Sequence, residues 1–294
     1  MTGPRRGGGV PGAIPALGTV CSLEAGLATI LEDYAAGHCD AIDLWLGHAE
    51  RFLETGEAEG LRDRIAASGM RVVAASYQGG LLLADGASGA EHRTLFGHRL
   101  DLCRGLGIPV LVLAGDAHGP LAPADLARMS ANLAEAAGRA ADAGVRLAFE
   151  FDARASFPNN LQSAAALVEQ VGHPALGLCL DWHQFTVGPS KEGDLGLLTA
   201  ANLFHVQVSD IADVPREMAR DSERILPGEG SMPPDALLDR LAEIGYSGAV
   251  SVELMNPALW CVPPRQFGEV ATTCLRRLLG QAGMGEEREE RPRP

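Results

Sequence analysis

The chain has 294 residues, of which 46% are hydrophobic and 21% are charged. These proportions are typical of a folded globular protein and exclude a disordered or fibrous chain. Thirty-eight acidic residues against 24 Lys and Arg residues give a formal net charge of −14. Phosphate backbones and anionic membranes repel a chain of this charge, so we predict neither a nucleic-acid partner nor a membrane partner.

Six cysteines are scattered along the chain, and none forms a CxxC pair. Neither a structural zinc site nor a dense disulfide framework has this spacing, so we predict a reduced, cytoplasmic protein. No apolar run reaches the roughly 20 residues of a membrane span. Residues 1–11 and 281–294 are predicted to be disordered tails, because Gly, Pro and charged residues there bury little apolar surface.

Short apolar runs rich in Val, Leu and Ala recur through the chain. Such near-continuous runs are typical of buried parallel strands. They predict eight strands, at residues 13–20, 41–46, 71–76, 110–115, 146–151, 176–181, 203–210 and 249–254. Apolar residues at three- and four-residue spacing predict helices in most of the gaps, at residues 27–36, 58–69, 93–107, 126–144, 161–172 and 233–245.

Eight strands that alternate with helices predict an α/β protein with one domain, a single (β/α)8 TIM barrel over residues 12–280. A doubly wound open sheet is the alternative. No GxGxxG follows the first predicted strand and no GxxxxGK[ST] occurs in the chain, so that alternative lacks its nucleotide-binding signature.

Four successive strands of the second half end in, or just before, ligand-type side chains: Glu150, Asp181, Gln207 and Glu253. In a barrel the catalytic groups come from these C-terminal ends. A single carboxylate there could cap a helix or pair with an arginine. Carboxylates that converge must share a cation or protons. Hard carboxylate oxygens with an amide or imidazole indicate Mg²⁺ or Mn²⁺, with Co²⁺ or Zn²⁺ as alternatives.

The segments FEF, LCLDWH, FHVQVSD, LPGEG and SVEL follow one another in this order. The series resembles the sugar isomerase/epimerase superfamily with a xylose-isomerase-like barrel, which includes hydroxypyruvate isomerase, tagatose 3-epimerase and inosose isomerase. The resemblance covers residues 13–279 and implies Glu150, Asp181, Gln207 and Glu253 as metal ligands. The HVQ segment resembles the type in which Gln is the third ligand, with His205 one layer below, as a substrate contact or an interior histidine.

The resemblance also implies a mechanism. A divalent ion holds the carbonyl and hydroxyl oxygens of the substrate and stabilises the enediolate that forms when an α-proton leaves. Glu150 and Glu253 then act as base and acid. The expected substrate is a small keto-sugar, sugar phosphate or hydroxy-keto acid.

Two further substrate contacts are implied by the resemblance, His183 and Arg216. Registering the chain on GPS at residues 188–190 places Gln184 at the family's histidine position, so His183 contacts substrate only if the loop is one residue tighter. Arg216 lies in the long loop after the seventh strand, where a guanidinium suits oxyanion binding. The alternative for Arg216 is surface pairing with acidic neighbours such as Glu217.

Competing functions share this scaffold. A lyase, such as a 3-dehydroshikimate or inosose dehydratase, would use the same metal ligands and eliminate water. A nuclease resembling endonuclease IV is disfavoured by the acidic chain and its eight scattered histidines. A non-catalytic barrel is disfavoured because all four ligand positions are present. The sequence leaves the oligomeric state open, and fold relatives include dimers and tetramers.

Overall fold

The computed structural model describes residues 9–282. The strands are β1 (Ile14–Gly18), β2 (Ala41–Trp45), β3 (Arg71–Gln78), β4 (Val110–Gly115), β5 (Arg146–Phe151), β6 (Leu176–Asp181), β7 (Leu203–Val208), β8 (Asp210–Ile211), β9 (Arg224–Ile225) and β10 (Ala249–Val252). All but β8 and β9 are parallel and close into one barrel, in which β10 pairs with both β7 and β1. The predicted single (β/α)8 barrel is confirmed.

Ten helices alternate with the strands in the described chain: α1 (Leu27–Ala36), α2 (Leu46–Leu53), α3 (Ala58–Ser68), α4 (Gly86–Leu106), α5 (Pro123–Asp142), α6 (Leu161–Val171), α7 (Trp182–Val187), α8 (Asp235–Glu243), α9 (Pro257–Trp260) and α10 (Pro264–Leu278). Local sequence explains several boundaries. Asn160 caps α6 by accepting a hydrogen bond from the Ser163 N–H, and Gly172 ends that helix with φ +62°. No helix of residues 9–282 has the length and apolar character that crossing a membrane requires.

The predicted strands agree with the observed ones except at their ends. The first predicted strand stops at Gly18, because Thr19–Ser22 forms a short 3₁₀ helix. The predicted strand at residues 203–210 stops at Val208, and Asp210–Ile211 instead pairs antiparallel with β9. This small ribbon folds the long loop after β7 back toward the barrel mouth, so it brings Arg224 to the C-terminal ends of the strands.

The two ends of the described chain meet. The Val10 N–H donates to the Leu279 carbonyl, and the Gln281 side chain donates to the carbonyls of Val10 and Ala13. Both Val10 and Gln281 are buried, so packing extends slightly past the predicted domain limits. The rest of the predicted tails, residues 1–8 and 283–294, lies outside the described residues.

The barrel interior contains a polar layer below the mouth. Asp43 of β2 and His205 of β7 meet across the barrel, with 3.0 Å between Asp43 Oδ2 and His205 Nε2. The Ser76 and Ser251 hydroxyls also donate to Asp43. These four residues form the inner layer. All four are buried, so each polar group needs a partner inside the protein.

Candidate metal centre

Three carboxylates meet at the C-terminal mouth of the barrel. Glu150 is near the end of β5, Asp181 is the last residue of β6, and Glu253 directly follows β10. Each offers an oxygen, and these oxygens all lie within 4.8 Å of one another. Asp181 and Glu253 are buried, whereas Glu150 keeps partial contact with solvent. We call these three residues the carboxylate cluster.

Electrostatics disfavour full ionisation of the cluster. Burial raises the pKa of Glu150 well above its usual range, and the negative charges of Glu253 and Asp181 raise it further. Burial raises the pKa of Glu253 to about 8, although the Arg224 guanidinium acts against this. The pKa of Asp181 is also raised, by burial, despite its bond to Arg224. Three carboxylates at this spacing, two of them buried and one partly so, therefore need a further positive charge to be ionised together.

Arg224 supplies part of that charge. Its side chain is 1% exposed, and its guanidinium donates to Asp181 Oδ2 at 2.7 Å and to Glu253 Oε2 at 3.1 Å. A third bond, at 2.8 Å, goes to Asp221 Oδ1. Although burial acts in the opposite direction, these three carboxylates raise the pKa of Arg224, so it remains a cation. One arginine cannot balance all of the surrounding carboxylates.

Gln207 joins the cluster from β7. Its Nε2 donates to Glu253 Oε1 at 3.0 Å, while its Oε1 accepts from the Cys179 thiol at 3.3 Å. A ligand role for Oε1 requires a half-turn of the amide, which would place the oxygen beside Glu253. Gln207 is thus next to the cluster, as the sequence predicts, and its ligand role stays a prediction.

His205 lies in the inner layer below Gln207. It is fully buried, its Nε2 is bonded to Asp43 and Ser251, and its Nδ1 has no hydrogen-bond partner. Burial alone would raise the pKa of Asp43, but hydrogen bonds from His205 and the two serines outweigh it and lower that pKa. The placement one layer below Gln207 agrees with the sequence interpretation. A direct substrate contact by His205 stays a prediction.

His183 lies in the first turn of α7, which directly follows β6. Its backbone N–H donates to Asp181 Oδ1 at 2.8 Å, and its Nε2 lies 3.9 Å from Asp221 Oδ1. Burial and the nearby Arg224 charge lower the pKa of His183 to about 3, so the imidazole is neutral. Its buried Nδ1 has no hydrogen-bond partner. Gln184 is committed elsewhere, since its Oε1 accepts from the Ala153 N–H.

Arg216 is not brought to the cluster. Its guanidinium is about half exposed and bonds Glu217 at 2.9 Å, which is the surface pairing that sequence analysis gave as the alternative. Arg224, eight residues further along the same loop, takes the central position instead. The loop contains three arginines, Arg216, Arg220 and Arg224. The only sequence signal that favours Arg224 is its position just before the LPGEG turn, since the hydrophobic pattern does not separate the three.

A family model described as xylose isomerase-like TIM barrel matches residues 33–276. This match covers most of the chain, and the chain belongs to that family. The resemblance identified from the sequence is therefore confirmed.

Two curated relatives show the range of names in this group. The inosose isomerase of Halalkalibacterium halodurans is 37% identical over 115 residues, which are 39% of this chain and 41% of the relative. The 3-dehydroshikimate dehydratase of Pseudomonas putida is 30% identical over 154 residues, which are 51% of this chain and 24% of the relative. The matched part is thus less than half of each relative, although both names support the prediction that the family consists of enzymes.

A solved structure supports the fold. The IolI protein with a bound zinc atom matches with a TM-score of 0.84 at 22% identity, over 91% of this chain and 98% of that chain. At this level of identity the likeness bears on the barrel architecture alone.

Proposed function

We propose that the chain is a divalent-metal-dependent isomerase or epimerase of a small keto-sugar, sugar phosphate or hydroxy-keto acid, acting in the cytoplasm. The observation that carries this proposal is the convergence of Glu150, Asp181 and Glu253 within 4.8 Å at the barrel mouth. The mouth is where barrel enzymes place their chemistry. The name of the inosose isomerase relative supports the same reaction class.

The residues fit a divalent cation. Burial raises the pKa of all three cluster carboxylates, and repulsion within the cluster raises those of Glu150 and Glu253 further, so an added cation would relieve a cost that Arg224 leaves unbalanced. The three carboxylates, joined by the Gln207 amide oxygen after a half-turn of that amide, would form an all-oxygen donor set, which suits Mg²⁺ or Mn²⁺. When bound, such an ion would polarise a substrate carbonyl as a Lewis acid.

The chain itself would move the proton. Glu150 and Glu253 come from β5 and from the end of β10, so they approach a substrate in the mouth from different sides of the barrel. One carboxylate removes the proton next to the carbonyl, which leaves an enediolate in the substrate. Return of a proton to the neighbouring carbon gives the isomer, and return to the opposite face gives the epimer.

Arg224 and His183 would orient the groups around this step. The Arg224 guanidinium holds Asp181 and Glu253 in place through fixed bonds. The neutral His183 has a free Nδ1 that can exchange a hydrogen bond with a substrate hydroxyl. Arg216 is not part of this proposal, because its guanidinium pairs with Glu217 at the surface.

A dehydratase is the second candidate. The match to the 3-dehydroshikimate dehydratase of Pseudomonas putida favours it. The same proton removal next to a carbonyl, in a substrate with a leaving hydroxyl on the adjacent carbon, expels water instead of accepting the proton back. Mass spectrometry of the products separates the two reactions, since isomerisation preserves the mass and dehydration removes one water.

The test of the metal proposal is elemental analysis of the purified protein with thermal melting before and after chelation. A ligand that binds the native state raises its stability by mass action. About one divalent ion per chain, and a melting shift that Mn²⁺ or Mg²⁺ restores after chelation, is the expected result. Absence of metal, with no shift on adding Mn²⁺, would overturn the proposal.

A further inference from the structure

The guanidinium of Arg224 lies against the carboxylate cluster. Its Nη2 donates to Asp181 Oδ2 at 2.7 Å, and its Nη1 donates to Glu253 Oε2 at 3.1 Å. Its Nε donates to Asp221 Oδ1 at 2.8 Å, outside the cluster. The side chain is 1% exposed. A buried positive charge therefore touches two of the three carboxylates at which the proposed divalent ion would bind.

The backbone that carries Arg224 is held in place from several sides. Arg224 pairs with Ile211 in the ribbon of β8 and β9, and its carbonyl accepts a hydrogen bond from Asn256 Nδ2 at 3.0 Å. The turn that follows β9 is anchored by the Asp210 carboxylate, which accepts from the Met232 N–H at 2.7 Å. Withdrawal of the guanidinium from the mouth would break these bonds. Its charge therefore stays beside the cluster when a metal ion binds.

Arg224 uses one oxygen of each of the two carboxylates that it contacts. The other oxygen of Asp181, Oδ1, accepts from the His183 N–H. The other oxygen of Glu253, Oε1, accepts from Gln207 Nε2. All four oxygens of these two residues are thus hydrogen-bonded within the protein. The chain therefore holds two of its proposed ligands in place without a metal ion.

We propose that Arg224 is a built-in counter-cation that competes with the divalent ion for the carboxylate cluster. It stabilises Asp181 and Glu253 in the metal-free protein, and its fixed charge lowers the affinity of the site for metal. This inference rests on the proposed function, because it concerns the same metal site. Its consequence is that the chain folds with these two ligands in place before it takes up the ion.

The sign of one measurable change separates competition from simple support. If the guanidinium served only to aim Asp181 and Glu253 at the ion, its removal would weaken metal binding, as loss of groups around metal ligands usually does. If it competes, its removal strengthens metal binding. The reason is that two cations a few ångströms apart repel each other, most strongly where water is excluded.

The test is isothermal titration calorimetry of the chelator-treated full chain with Mn²⁺, with thermal melting before and after Mn²⁺ is added. Arg224→Gln should lower the dissociation constant for Mn²⁺ about tenfold, because the repulsion between the two cations is gone. It should also lower the melting temperature of the metal-free protein, since it leaves buried carboxylates without their partner. The melting shift on adding Mn²⁺ should therefore be larger than in the wild-type protein.

Two variants serve as controls. Arg224→Lys keeps the positive charge and should bind Mn²⁺ with an affinity closer to that of the wild-type protein. Arg216→Gln makes the same substitution as Arg224→Gln in the same loop, at a guanidinium that pairs with Glu217 at the surface. It should change neither the affinity for Mn²⁺ nor the melting temperature.

Weaker or unchanged Mn²⁺ binding in Arg224→Gln would overturn the competition and leave the proposed function in place. No Mn²⁺ binding by either the wild-type protein or Arg224→Gln would overturn the proposed function and this inference with it. Should Arg224→Gln not fold without metal, competition requires that Mn²⁺ added during refolding restores the fold, as measured by circular dichroism. A variant that stays unfolded at saturating Mn²⁺ would overturn the inference.

Discussion

The barrel interior contains two polar layers, and buried carboxylates behave in opposite ways in them. In the inner layer, hydrogen bonds from His205, Ser76 and Ser251 lower the pKa of Asp43 although it is buried. At the mouth, burial raises the pKa of Glu253 to about 8, and the single Arg224 does not compensate. The difference teaches that burial alone does not mark a functional carboxylate. A functional site is indicated instead by a set of neighbouring carboxylates whose negative charge the protein does not balance with its own cations.

The largest expected effect is a loss of turnover when a carboxylate at the mouth is replaced. Glu253→Gln should lower turnover by about 10³-fold, because an amide cannot take or return a proton. The fold should remain, since Gln is nearly isosteric. Initial rates on a substrate found by screening keto-sugars, with circular dichroism, provide the measurement. Glu229→Gln makes the same change at an exposed turn and should leave turnover unchanged. Near-wild-type turnover in Glu253→Gln would contradict the acid–base assignment.

The layers should also respond oppositely to pH when metal is removed. The pKa of Glu253 is raised from 4.5 to about 8, so the stability gained from its protonated form is complete below pH 4.5 and is lost as pH rises through about 8. The free energy of unfolding should therefore fall between about pH 5 and pH 8, by at most about 1.4 kcal/mol per pH unit for one proton. The pKa of Asp43 is lowered from 3.8, so its contribution is lost only as pH falls below that value.

Urea unfolding with a chelator present, at several values across this window, measures the slope. Glu253→Gln should reduce the slope of the profile without abolishing it, because the pKa values of Glu150 and Asp181 are raised as well, and Asp43→Asn should preserve the slope. A flat profile for the metal-free wild-type protein would show that the cluster is balanced without metal and would remove the basis of the comparison.

In the absence of metal, removing a carboxylate from the inner layer should lower the free energy of unfolding more than removing one from the carboxylate cluster. This is the reverse of the expected order of their effects on turnover. Asp43→Asn removes the buried carboxylate to which His205, Ser76 and Ser251 are hydrogen-bonded, and should cost about 2 kcal/mol, the typical loss of buried hydrogen bonds to a charged group. Glu150→Gln removes a carboxylate that its neighbours repel, so it should leave the free energy of unfolding unchanged or raise it. Urea unfolding at neutral pH with a chelator compares the two variants. Equal losses would mean that the layers do not differ in charge balance.

The smallest expected effect concerns Gln207, the predicted amide ligand. Gln207→Ala should weaken Mn²⁺ binding about tenfold, the lower end of what loss of a group in or next to a metal's ligand set costs. His205→Ala should weaken it less, because His205 lies one layer below and is bonded to Asp43. Isothermal titration calorimetry with Mn²⁺ measures both. The reverse order would move the ligand assignment to His205.

Most of the framework was predictable from the sequence because it depends on local patterns. Apolar runs of four to eight residues, such as residues 146–151 and 176–181, coincide with β5 and β6. Glu150, Asp181 and Glu253 were found because parallel strands that alternate with helices bring their C-terminal ends to one rim. Helices α2, α7, α9 and α10 were missing from the predicted set; α2 and α7 lie between strands, and α9 and α10 follow the last strand.

The arginine that contacts the carboxylate cluster was not predicted, for a physical reason. Arg216, Arg220 and Arg224 share one loop, and each has acidic neighbours in sequence. Which of them enters the mouth depends on the antiparallel ribbon of β8 and β9, which places Arg224 in β9 beside Asp181 and Glu253. Pairing between segments that are far apart in the chain has no local signature, so only the folded structure reveals it.

The sequence by itself therefore determined the barrel, the rim and the three carboxylates, because strand periodicity and alternation act over short stretches of chain. The tertiary structure alone decided which arginine contacts the cluster and that the His205 Nε2 is bonded to Asp43. Each of these depends on distances between strands that meet only when the barrel closes, and on the charge balance that closure creates.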